Sequence, residues 1–237
     1  MSNSYFSFKQ FTVFQDKCAM KVGIDGVLLG VWTPVEDVKT ILDVGTGTGL
    51  IALMLAQRSQ AEITGIDIEP HAVQQATENV RNSPWSNRIT IIENSFQDFS
   101  TCSNQHFDLI VSNPPYFVDS LKAPSDNRTA ARHTDTLAHE ELILSAKSLL
   151  TKTGRICIIL PVNEGLRCMN FAEQNQLFCT KSVKIFPKPG AIAKRLLLEF
   201  SLVPEAKIES ELIIESDIRH HYSPEFTDLA KDFYLKL

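Results

Sequence analysis

The stretch T-I-L-D-V-G-T-G-T-G, residues 40–49, decides the expected fold of this chain. Residues 40–44 are typical of a buried strand, and an apolar helix is predicted at 50–57. The three glycines between them let a ligand approach the backbone at the amino terminus of that helix, which predicts a nucleotide-type cradle. Asp43 stands two residues before the first glycine. Its charge would repel a pyrophosphate but attract an ammonium or sulfonium group, so S-adenosylmethionine fits this cradle and NAD fits it poorly.

Further strands alternate with helical patterns along the chain. We expect strands at 62–68, 88–93, 107–112, 155–160 and 196–202, and helices at 70–82, 136–150 and 164–174. Such alternation predicts an α/β fold with a parallel, doubly wound sheet, whose loops at the carboxyl ends of the strands share one cleft. Asp67 lies in the strand at 62–68, about 20 residues after the glycine loop, where a carboxylate can accept hydrogen bonds from ribose hydroxyls.

The strand at 107–112 stops at N-P-P-Y, residues 113–116. Consecutive prolines lack N–H groups and have a fixed φ, so the chain must leave the sheet in a stiff turn at the edge where open α/β sheets bind ligands. The side-chain carbonyl of Asn113 and the main-chain carbonyl of Pro114 can accept the N–H bonds of a planar amine and aim its lone pair at an electrophile. Tyr116 offers a flat face on which a base can stack. The alternative is a proline-rich turn with a buried tyrosine.

Composition limits the class of protein. The chain has 237 residues, enough for one α/β domain with small additions. It contains no apolar run of about 20 residues that would span a bilayer. The amino terminus has no basic region followed by an apolar stretch, which argues against a secretory signal and predicts a cytoplasmic protein. The five cysteines show no C-x-x-C spacing and the six histidines no H-x-x-x-H pattern, so we expect neither disulfides nor a metal site.

The formal net charge of −5 means that a nucleic-acid partner would have to meet a local basic face. Residues 181–195 supply such a face, because their charged side chains are all basic, and the P-K-P-G sequence at 187–190 makes a stiff loop tip. A soluble hairpin flank is the alternative. The long polar loop 118–134 contains Arg128 and Arg132, which could hold phosphates, although a solvated loop of mixed charge fits the sequence equally well.

Aromatic side chains are concentrated near the amino terminus. Residues 5–20 contain five of them, interleaved with lysines. Such a pattern can stack bases and bind phosphates, but the alternation at positions 6, 8 and 11 favours a strand or hairpin packed on the body of the protein. Further along, Asp25 is placed to cap a helix that runs through Trp32, and Gly23 and Gly26 let the backbone pass close to a ligand.

Together, residues 20–203 resemble a class I, Rossmann-like S-adenosylmethionine-dependent methyltransferase. The N-P-P-Y turn resembles the motif of amino methyltransferases, which act on adenine N6, cytosine N4 or a glutamine amide. More narrowly, five motifs are similar to the bacterial valine-tRNA (adenine-N6)-methyltransferase family, whose members methylate the adenosine just 3′ of the anticodon. These motifs are F-K-Q-F at 8–11, M-K-V-G-I-D-G-V-L-L-G at 20–30, D-V-G-T-G-T-G at 43–49, N-P-P-Y-F at 113–117 and A-R-H at 131–133.

This resemblance implies a single domain, residues 1–237, with an amino-terminal arm at 1–20 and a basic hairpin at 178–203. It implies a mostly parallel seven-stranded sheet with helices on both faces and an antiparallel carboxyl-terminal hairpin. S-adenosylmethionine is the implied cofactor and tRNA the implied partner of a monomer that binds neither membrane nor metal.

The resemblance also implies three groups of site residues. The catalytic group is Asn113, Pro114 and Tyr116. The cofactor-binding group is Lys21, Asp43, Gly45, Gly47, Gly49, Asp67, Ile68, Ser95, Phe96 and Asn113. The RNA-binding group is Arg128, Arg132, His133, Lys184, Lys188, Lys194 and Arg195. Many class I methyltransferases place an acid after the third strand to contact the adenine of the cofactor. Here Ser95 stands in that place with Asp98 three residues on, so either can make that contact.

Three other functions compete with this one. A protein-glutamine methyltransferase presents the same amide chemistry to the same motif, but no helical amino-terminal domain precedes the glycine loop. A DNA adenine methyltransferase is less favoured because no target-recognition domain is visible. A non-catalytic RNA- or nucleotide-binding module is opposed by the intact Asn113, Tyr116 and glycine loop.

Overall fold

The computed structural model describes residues 3–18, 21–114, 139–218 and 221–237. Its main sheet has eight strands, and a separate two-stranded hairpin forms near the amino terminus. The hairpin strands are β1, Tyr5–Ser7, and β2, Thr12–Phe14. The strands of the main sheet are β3, Thr40–Val44; β4, Glu62–Asp67; β5, Ile89–Glu93; β6, Phe107–Ser112; β7, Leu150–Pro161; β8, Phe178–Phe186; β9, Arg195–Ser201; and β10, Ile208–Ile213.

The order of the strands places several loops at one edge of the sheet. The order is β10-β8-β9-β7-β6-β3-β4-β5, and all neighbours are parallel except the two pairs that involve β9. Arg195 at the start of β9 pairs with Pro161 at the end of β7. The loop between β8 and β9 therefore projects from the same edge as the carboxyl ends of the parallel strands. These observations confirm the predicted mostly parallel sheet with an antiparallel hairpin.

Strand β10 extends the sheet beyond the seven strands that we expected, and it pairs with β8 in parallel. Its sequence is I-E-S-E-L-I, and its first four residues are exposed. A strand held at a sheet edge by main-chain hydrogen bonds buries few side chains, so its sequence carries little of the alternation that predicts a strand. This explains why the sequence did not indicate β10.

Seven helices among the described residues cover both faces of the sheet, as predicted. They are α1, Ile24–Trp32; α2, Leu50–Arg58; α3, Pro70–Arg81; α4, Phe96–Cys102; α5, His139–Leu149; α6, Val162–Gln174; and α7, Pro224–Ala230. One apolar cluster joins α1, α2 and α7 to one face, and a second joins α4, α5 and α6 to the other. No helix in the described ranges is long and apolar enough to cross a membrane.

Helix α1 differs from its prediction at its start. Its N-cap is Gly23, with no side-chain cap, and Asp25 lies within the first turn. Asp25 instead accepts a hydrogen bond from Arg195 Nε at 2.9 Å. The prediction that Asp25 caps this helix is therefore wrong, because its carboxylate faces the β8–β9 hairpin. The helix packs closely on α2, since a Cβ added at Gly30 would lie 2.6 Å from Met54 Sδ.

The amino-terminal arm packs on the body of the protein, as predicted from the alternation of its aromatic residues. Phe8 and Phe11 are buried, and their rings stack with centroids 4.7 Å apart. The Phe8 ring also meets the Tyr234 ring edge-on at 5.9 Å, and Lys9 N donates to Phe233 O at 2.8 Å. The arm and residues 233–234 therefore cover each other, a role of the carboxyl-terminal tail that no pattern in its residues had indicated.

Candidate active site

A cleft of about 870 Å³ opens at the carboxyl edge of the parallel strands. Its walls come mainly from five segments that are far apart in sequence, residues 21–26, 44–48, 66–68, 94–98 and 112–114. This is the place where open α/β sheets bind ligands, and the volume is in the range of small-molecule sites, roughly 300–1,000 Å³. The glycine loop, the carboxylate of Asp67 and the start of the N-P-P-Y turn therefore face one space, as the parallel sheet predicted.

The glycine loop is held in place by three hydrogen bonds that its main-chain N–H groups donate. Gly45 N and Thr46 N both donate to Ile66 O at 2.9 Å, and Gly47 N donates to Asp67 Oδ2 at 2.8 Å. Gly47 has φ +58°, a left-handed conformation that side chains disfavour. A Cβ at Gly45 would meet no other group within 4 Å. The loop thus presents bare backbone to open space, as a cofactor cradle requires.

Asp43 lies beneath this loop and is fully buried. Its Oδ2 accepts hydrogen bonds from Thr46 Oγ1 at 2.7 Å and from Ala52 N at 3.2 Å. Burial raises the pKa of Asp43 to about 7, against the opposing effect of these two hydrogen bonds. The carboxyl group therefore fixes the loop to α2, and a direct contact between Asp43 and a cation stays a prediction.

The raised pKa of Asp43 predicts that stability falls as pH rises. Between the ordinary aspartate pKa of about 4 and the folded-state value of about 7, the folded protein keeps a proton that the unfolded chain has lost. The contribution of Asp43 to the free energy of unfolding is therefore lost across this window. We expect Asp43→Asn to flatten this part of the profile, measured by urea denaturation at a series of pH values. Glu62→Gln, an exposed carboxyl on β4, is the control, and equal slopes in Asp43→Asn and parent would contradict the prediction.

Asp67 is the last residue of β4 and lines the cleft. Oδ2 accepts from Gly47 N, as above, and Oδ1 accepts from Glu69 N at 3.0 Å. Each carboxylate oxygen has a second lone pair, so these contacts orient the group without exhausting it as an acceptor. Ile68 follows with 54% of its surface exposed and lines the same cleft. The pair can therefore offer hydrogen bonds to a ribose and an apolar surface to an adenine.

Residues 94–98 form the neighbouring wall, and here the structure contains a helix that the sequence reasoning missed. Ser95 is the N-cap of α4: its Oγ accepts from Asp98 N at 3.0 Å and donates to Asp98 Oδ2 at 2.8 Å. The S-x-x-D spacing is a capping pattern, which could have predicted this helix start. Ser95, Phe96 and Asp98 all line the cleft, and the Ser95 hydroxyl holds the Asp98 carboxylate in place.

Asn113 and Pro114 leave β6 at the same edge. Ser112 Oγ donates to Val44 O at 2.9 Å, which ties the end of β6 to the strand that precedes the glycine loop. A Cβ at Gly26 would lie 3.9 Å from Asn113 Nδ2, so α1 packs directly against this amide. Asn113 is half-buried and Pro114 buried, both in the cleft wall. Tyr116, the third residue predicted to be catalytic, lies outside the described residues.

These residues fit S-adenosylmethionine. The glycine loop offers bare backbone to a ligand. In the strand order β6-β3-β4, Asp67 lies two strands away from Asn113, and Ser95 at the start of α4 lines the same cleft. This arrangement suits a nucleoside at one end of the cleft and a reactive group at the other. Within the described part of the chain, no group of three or more His, Cys, Asp or Glu side chains could hold a metal ion.

Comparison with known proteins agrees with this geometry. The methyltransferase-domain family matches residues 36–199. A protein of Parabacteroides distasonis named tRNA1(Val) (adenine(37)-N6)-methyltransferase is 50% identical, with 100% of both chains covered. One of the same name from Mannheimia succiniciproducens is 45% identical over 97% of this chain and 94% of its own. The chain belongs to the tRNA1(Val) (adenine(37)-N6)-methyltransferase family.

Solved structures show the fold that this family shares with distant proteins. A protein described as a predicted O-methyltransferase from Agrobacterium tumefaciens superposes with a TM-score of 0.69 at 20% identity, covering 88% of this chain and 96% of its own. A likeness at this level of identity shows only the class I methyltransferase fold. That family and fold imply S-adenosylmethionine as the cofactor.

The β8–β9 hairpin of this family member carries the basic residues predicted to bind RNA. Lys188 and Lys194 are exposed in the loop at the cleft edge, beside Ile192 with 73% of its surface exposed. Lys184 lies on β8 opposite Glu211 of β10. Arg195 is half-buried against Asp25, so it also joins the hairpin to the cleft wall. The loop tip is therefore the part of the hairpin best placed to meet a polyanion.

The remaining predicted RNA contacts, Arg128, Arg132 and His133, lie outside the described residues. Of the residues predicted to bind the cofactor, Lys21, Gly45, Gly47, Asp67, Ile68, Ser95, Phe96 and Asn113 line the cleft. Gly49 serves as the N-cap of α2, and a Cβ there would approach Ala76 Cβ to 3.4 Å. Gly49 and Asp43 thus lie behind the loop, where they shape it.

Proposed function

We propose that this protein transfers the methyl group of S-adenosylmethionine to N6 of an adenine in tRNA, next to the anticodon of a valine tRNA. The observation that carries this proposal is the shared cleft, in which Asn113 and Pro114 stand beside the glycine loop and Asp67. The names of the relatives supply the target, since they specify N6 of adenine 37 in tRNA1(Val). We further propose that a monomer acts in the cytoplasm.

The acceptor nitrogen is the chemical difficulty in this reaction. The lone pair of adenine N6 is delocalised into the ring, so the nitrogen attacks only if its N–H bonds are drawn out of the base plane. We assign these N–H bonds to the side-chain oxygen of Asn113 and the main-chain oxygen of Pro114, both of which are hydrogen-bond acceptors. Because Pro114 is buried and a second proline follows it in the sequence, which restricts ψ of Pro114 to extended values, its carbonyl has little freedom to turn away. Stacking of the base on Tyr116 is part of the proposal.

The cofactor, when bound, supplies a methyl group on a sulfonium, which becomes a neutral thioether as the carbon–sulfur bond breaks and the nitrogen–carbon bond forms. Asn113 and Pro114 need only hold the nitrogen, because the methylated amine is acidic enough to release its proton to water afterwards. Catalysis then depends on positioning. Extrusion of the target base costs little in a single-stranded loop, which favours an anticodon-loop adenine over one in duplex DNA.

Incubation with methyl-labelled S-adenosylmethionine tests the proposal directly. Total tRNA, duplex DNA and a release-factor protein are offered in separate reactions, and digested nucleosides and peptides are analysed for label. We expect N6-methyladenosine in tRNA. Methylglutamine in the release factor would support the rival protein-glutamine methyltransferase, and label in no acceptor would contradict enzymatic function as proposed. Heat-inactivated protein is the control.

The exposed lysines of the hairpin tip should contribute to tRNA affinity. We expect Lys188→Ala/Lys194→Ala to weaken tRNA binding about tenfold and to lower the slope of log K against log salt by about 1.5, because two phosphate contacts are lost. The rate at saturating tRNA should change less than about twofold. Filter binding at several salt concentrations gives both values.

The matched control for the hairpin variant is Lys39→Ala/Lys152→Ala. Both of these lysines are exposed, and they precede or begin strands at the opposite edge of the sheet. The two variants carry the same change in net charge. Equal losses of tRNA affinity in both would show that only net charge matters and would contradict binding at the hairpin tip.

A further inference from the structure

A single buried amide joins the amino-terminal arm to the glycine loop. Asn79 of α3 is 1% exposed. Its Oδ1 accepts from Phe14 N at 2.9 Å, and its Nδ2 donates to Phe14 O and to Thr48 O, both at 2.8 Å. Phe14 ends β2 of the arm, and Thr48 lines the cleft. The arm and the cofactor cradle are therefore fixed to the same side chain.

A second set of hydrogen bonds joins Gln15 of the arm to Lys21 and Val22 in the cleft wall. Gln15 is 6% exposed, and its Oε1 accepts from Val22 N at 2.7 Å. Its main-chain oxygen accepts from Lys21 Nζ. Lys21 and Val22 both line the cleft. The other half of the Gln15 side chain donates through Nε2 to Asn3 O at 2.9 Å, which secures it to the start of the arm.

The arm is also held on α3, the helix that follows the carboxylate expected to bind the ribose. Lys17 N donates to Gln75 Oε1 at 3.0 Å, and Gln75 is fully buried. Helix α3 begins at Pro70, three residues after Asp67. The arm is therefore bonded to this helix through two buried amides, those of Gln75 and Asn79.

We propose that Gln15 and Asn79 are positioning residues for the cofactor, and that through them the amino-terminal arm supports the wall of the cofactor site. Gln15 holds Lys21 and Val22 in the cleft wall through its hydrogen bonds. Asn79 holds the carbonyl of Thr48 and so the end of the glycine loop that precedes α2. This inference rests on the proposed function only in taking S-adenosylmethionine as the ligand of the cleft.

The competing account is that both amides serve stability alone. Removing a buried amide leaves its partners without hydrogen bonds, which costs stability wherever it occurs. The two accounts differ in what they predict for cofactor binding. Val22 and Thr48 lie in the cleft wall, so displacing them changes the cofactor site. Loss of the contact between Phe8 and Phe11 in the arm should lower stability without changing the residues of the cleft.

Two variants test the proposal, and each keeps it falsifiable if the other fails to fold. Gln15→Met keeps the size of the side chain and removes its hydrogen bonds. Asn79→Leu does the same on α3. Isothermal titration with S-adenosylmethionine and with S-adenosylhomocysteine, well below the unfolding temperature, should show affinity weakened about 10- to 100-fold. The rate at saturating cofactor and tRNA should change less than about threefold, because Asn113 is not affected.

Gln15→Glu and Phe11→Leu complete the design. Gln15→Glu keeps an acceptor for Val22 N and should recover most of the affinity. Phe11 of the arm is buried against Phe8 and against Trp85, which follows α3, and these three residues are not among those that line the cleft. Phe11→Leu should therefore lower the unfolding temperature while leaving cofactor affinity within about twofold.

Three results would overturn this inference. The first is cofactor affinity within twofold of the parent in both Gln15→Met and Asn79→Leu. The second is an equal loss of affinity in Phe11→Leu, which would make the effect one of general stability. The third is a parent protein that binds neither ligand, which would also overturn the choice of cofactor. Because these titrations contain no methyl acceptor, failure to methylate tRNA leaves their outcome unchanged, and the two proposals can fail separately.

Discussion

Asn113→Ala should lower kcat by about 10³-fold while leaving the affinity for S-adenosylmethionine within about tenfold. The truncation removes an oxygen that draws the acceptor nitrogen toward tetrahedral geometry, an interaction needed chiefly in the transition state. The cofactor keeps its contacts with the glycine loop, which follows β3, and with Asp67, which ends β4. Single-turnover methylation of tRNA and titration with S-adenosylhomocysteine measure the two quantities on the same preparation.

Two further variants make the Asn113 result interpretable. Asn113→Asp keeps an oxygen acceptor at the same position and should retain more activity than Asn113→Ala. Ser112→Ala removes the hydrogen bond to Val44 O and tests whether loosening the end of β6 alone reduces the rate. If Asn113→Ala methylated tRNA at the rate of the parent, the N-P-P-Y stretch would be only a turn. If Ser112→Ala lost as much activity as Asn113→Ala, the loss in Asn113→Ala would be explained by a displaced end of β6 and not by the missing acceptor oxygen.

Asp67→Ala should weaken cofactor binding about 100-fold. The carboxylate holds Gly47 N and Glu69 N, and the ribose hydroxyls of the cofactor are its proposed further partners. Hydrogen bonds to a charged group contribute about 1.5–3 kcal/mol each, and about 1.4 kcal/mol corresponds to a tenfold change in affinity. Loss of the ribose contact and displacement of the glycine loop should both lower the affinity for the cofactor. Calorimetry measures this affinity without tRNA.

Glu69→Gln is the matched control for Asp67. Glu69 is an exposed carboxylate two residues away whose Oε2 accepts from Ala72 N at 2.8 Å as the cap of α3, and glutamine keeps that acceptor. It should bind the cofactor within about twofold of the parent. Asp67→Asn should lie between the two extremes, because one side-chain oxygen remains. Equal affinities in Asp67→Ala and Glu69→Gln would remove Asp67 from the cofactor site.

The parts of the fold that were predictable are those with local signals. Apolar runs ended by glycine or proline predicted β3 and β6, and the amphipathic pattern after Pro70 predicted α3, since such patterns depend only on the local period of burial. Helix α4 is seven residues long and polar, with only Phe96 and Phe99 buried. Too few buried positions occur there for a period to be recognised, and the capping pattern at Ser95 was the only available signal.

The site shows the same division. The glycine loop, Asp67 and Asn113 follow predicted strands, so their convergence was deducible from a parallel sheet. The burial of Asp43 under its loop and the contacts of Gln15 and Asn79 were not. Asn79 meets Phe14, 65 residues away, and the nearer partners of Asp43 and Gln15 are chosen by how the chain folds back on itself, which no local period records. A polar residue in an amphipathic helix gives no sign of which distant backbone group it meets. Arg195, likewise, gave no sign of its contact with Asp25.

The contacts between the arm and residues 231–234 couple the carboxyl-terminal segment to the cofactor site. Lys9 N and Lys9 Nζ donate to Phe233 O and Lys231 O, and Phe14 of the same arm is bonded to Asn79, which also holds Thr48 O of the glycine loop. Removing the segment that holds the arm should therefore loosen the glycine loop, although residues 224–237 line no part of the cleft. We expect deletion of residues 224–237 to weaken binding of S-adenosylhomocysteine more than it weakens the sheet, compared by calorimetry and far-ultraviolet circular dichroism; unchanged binding would contradict this.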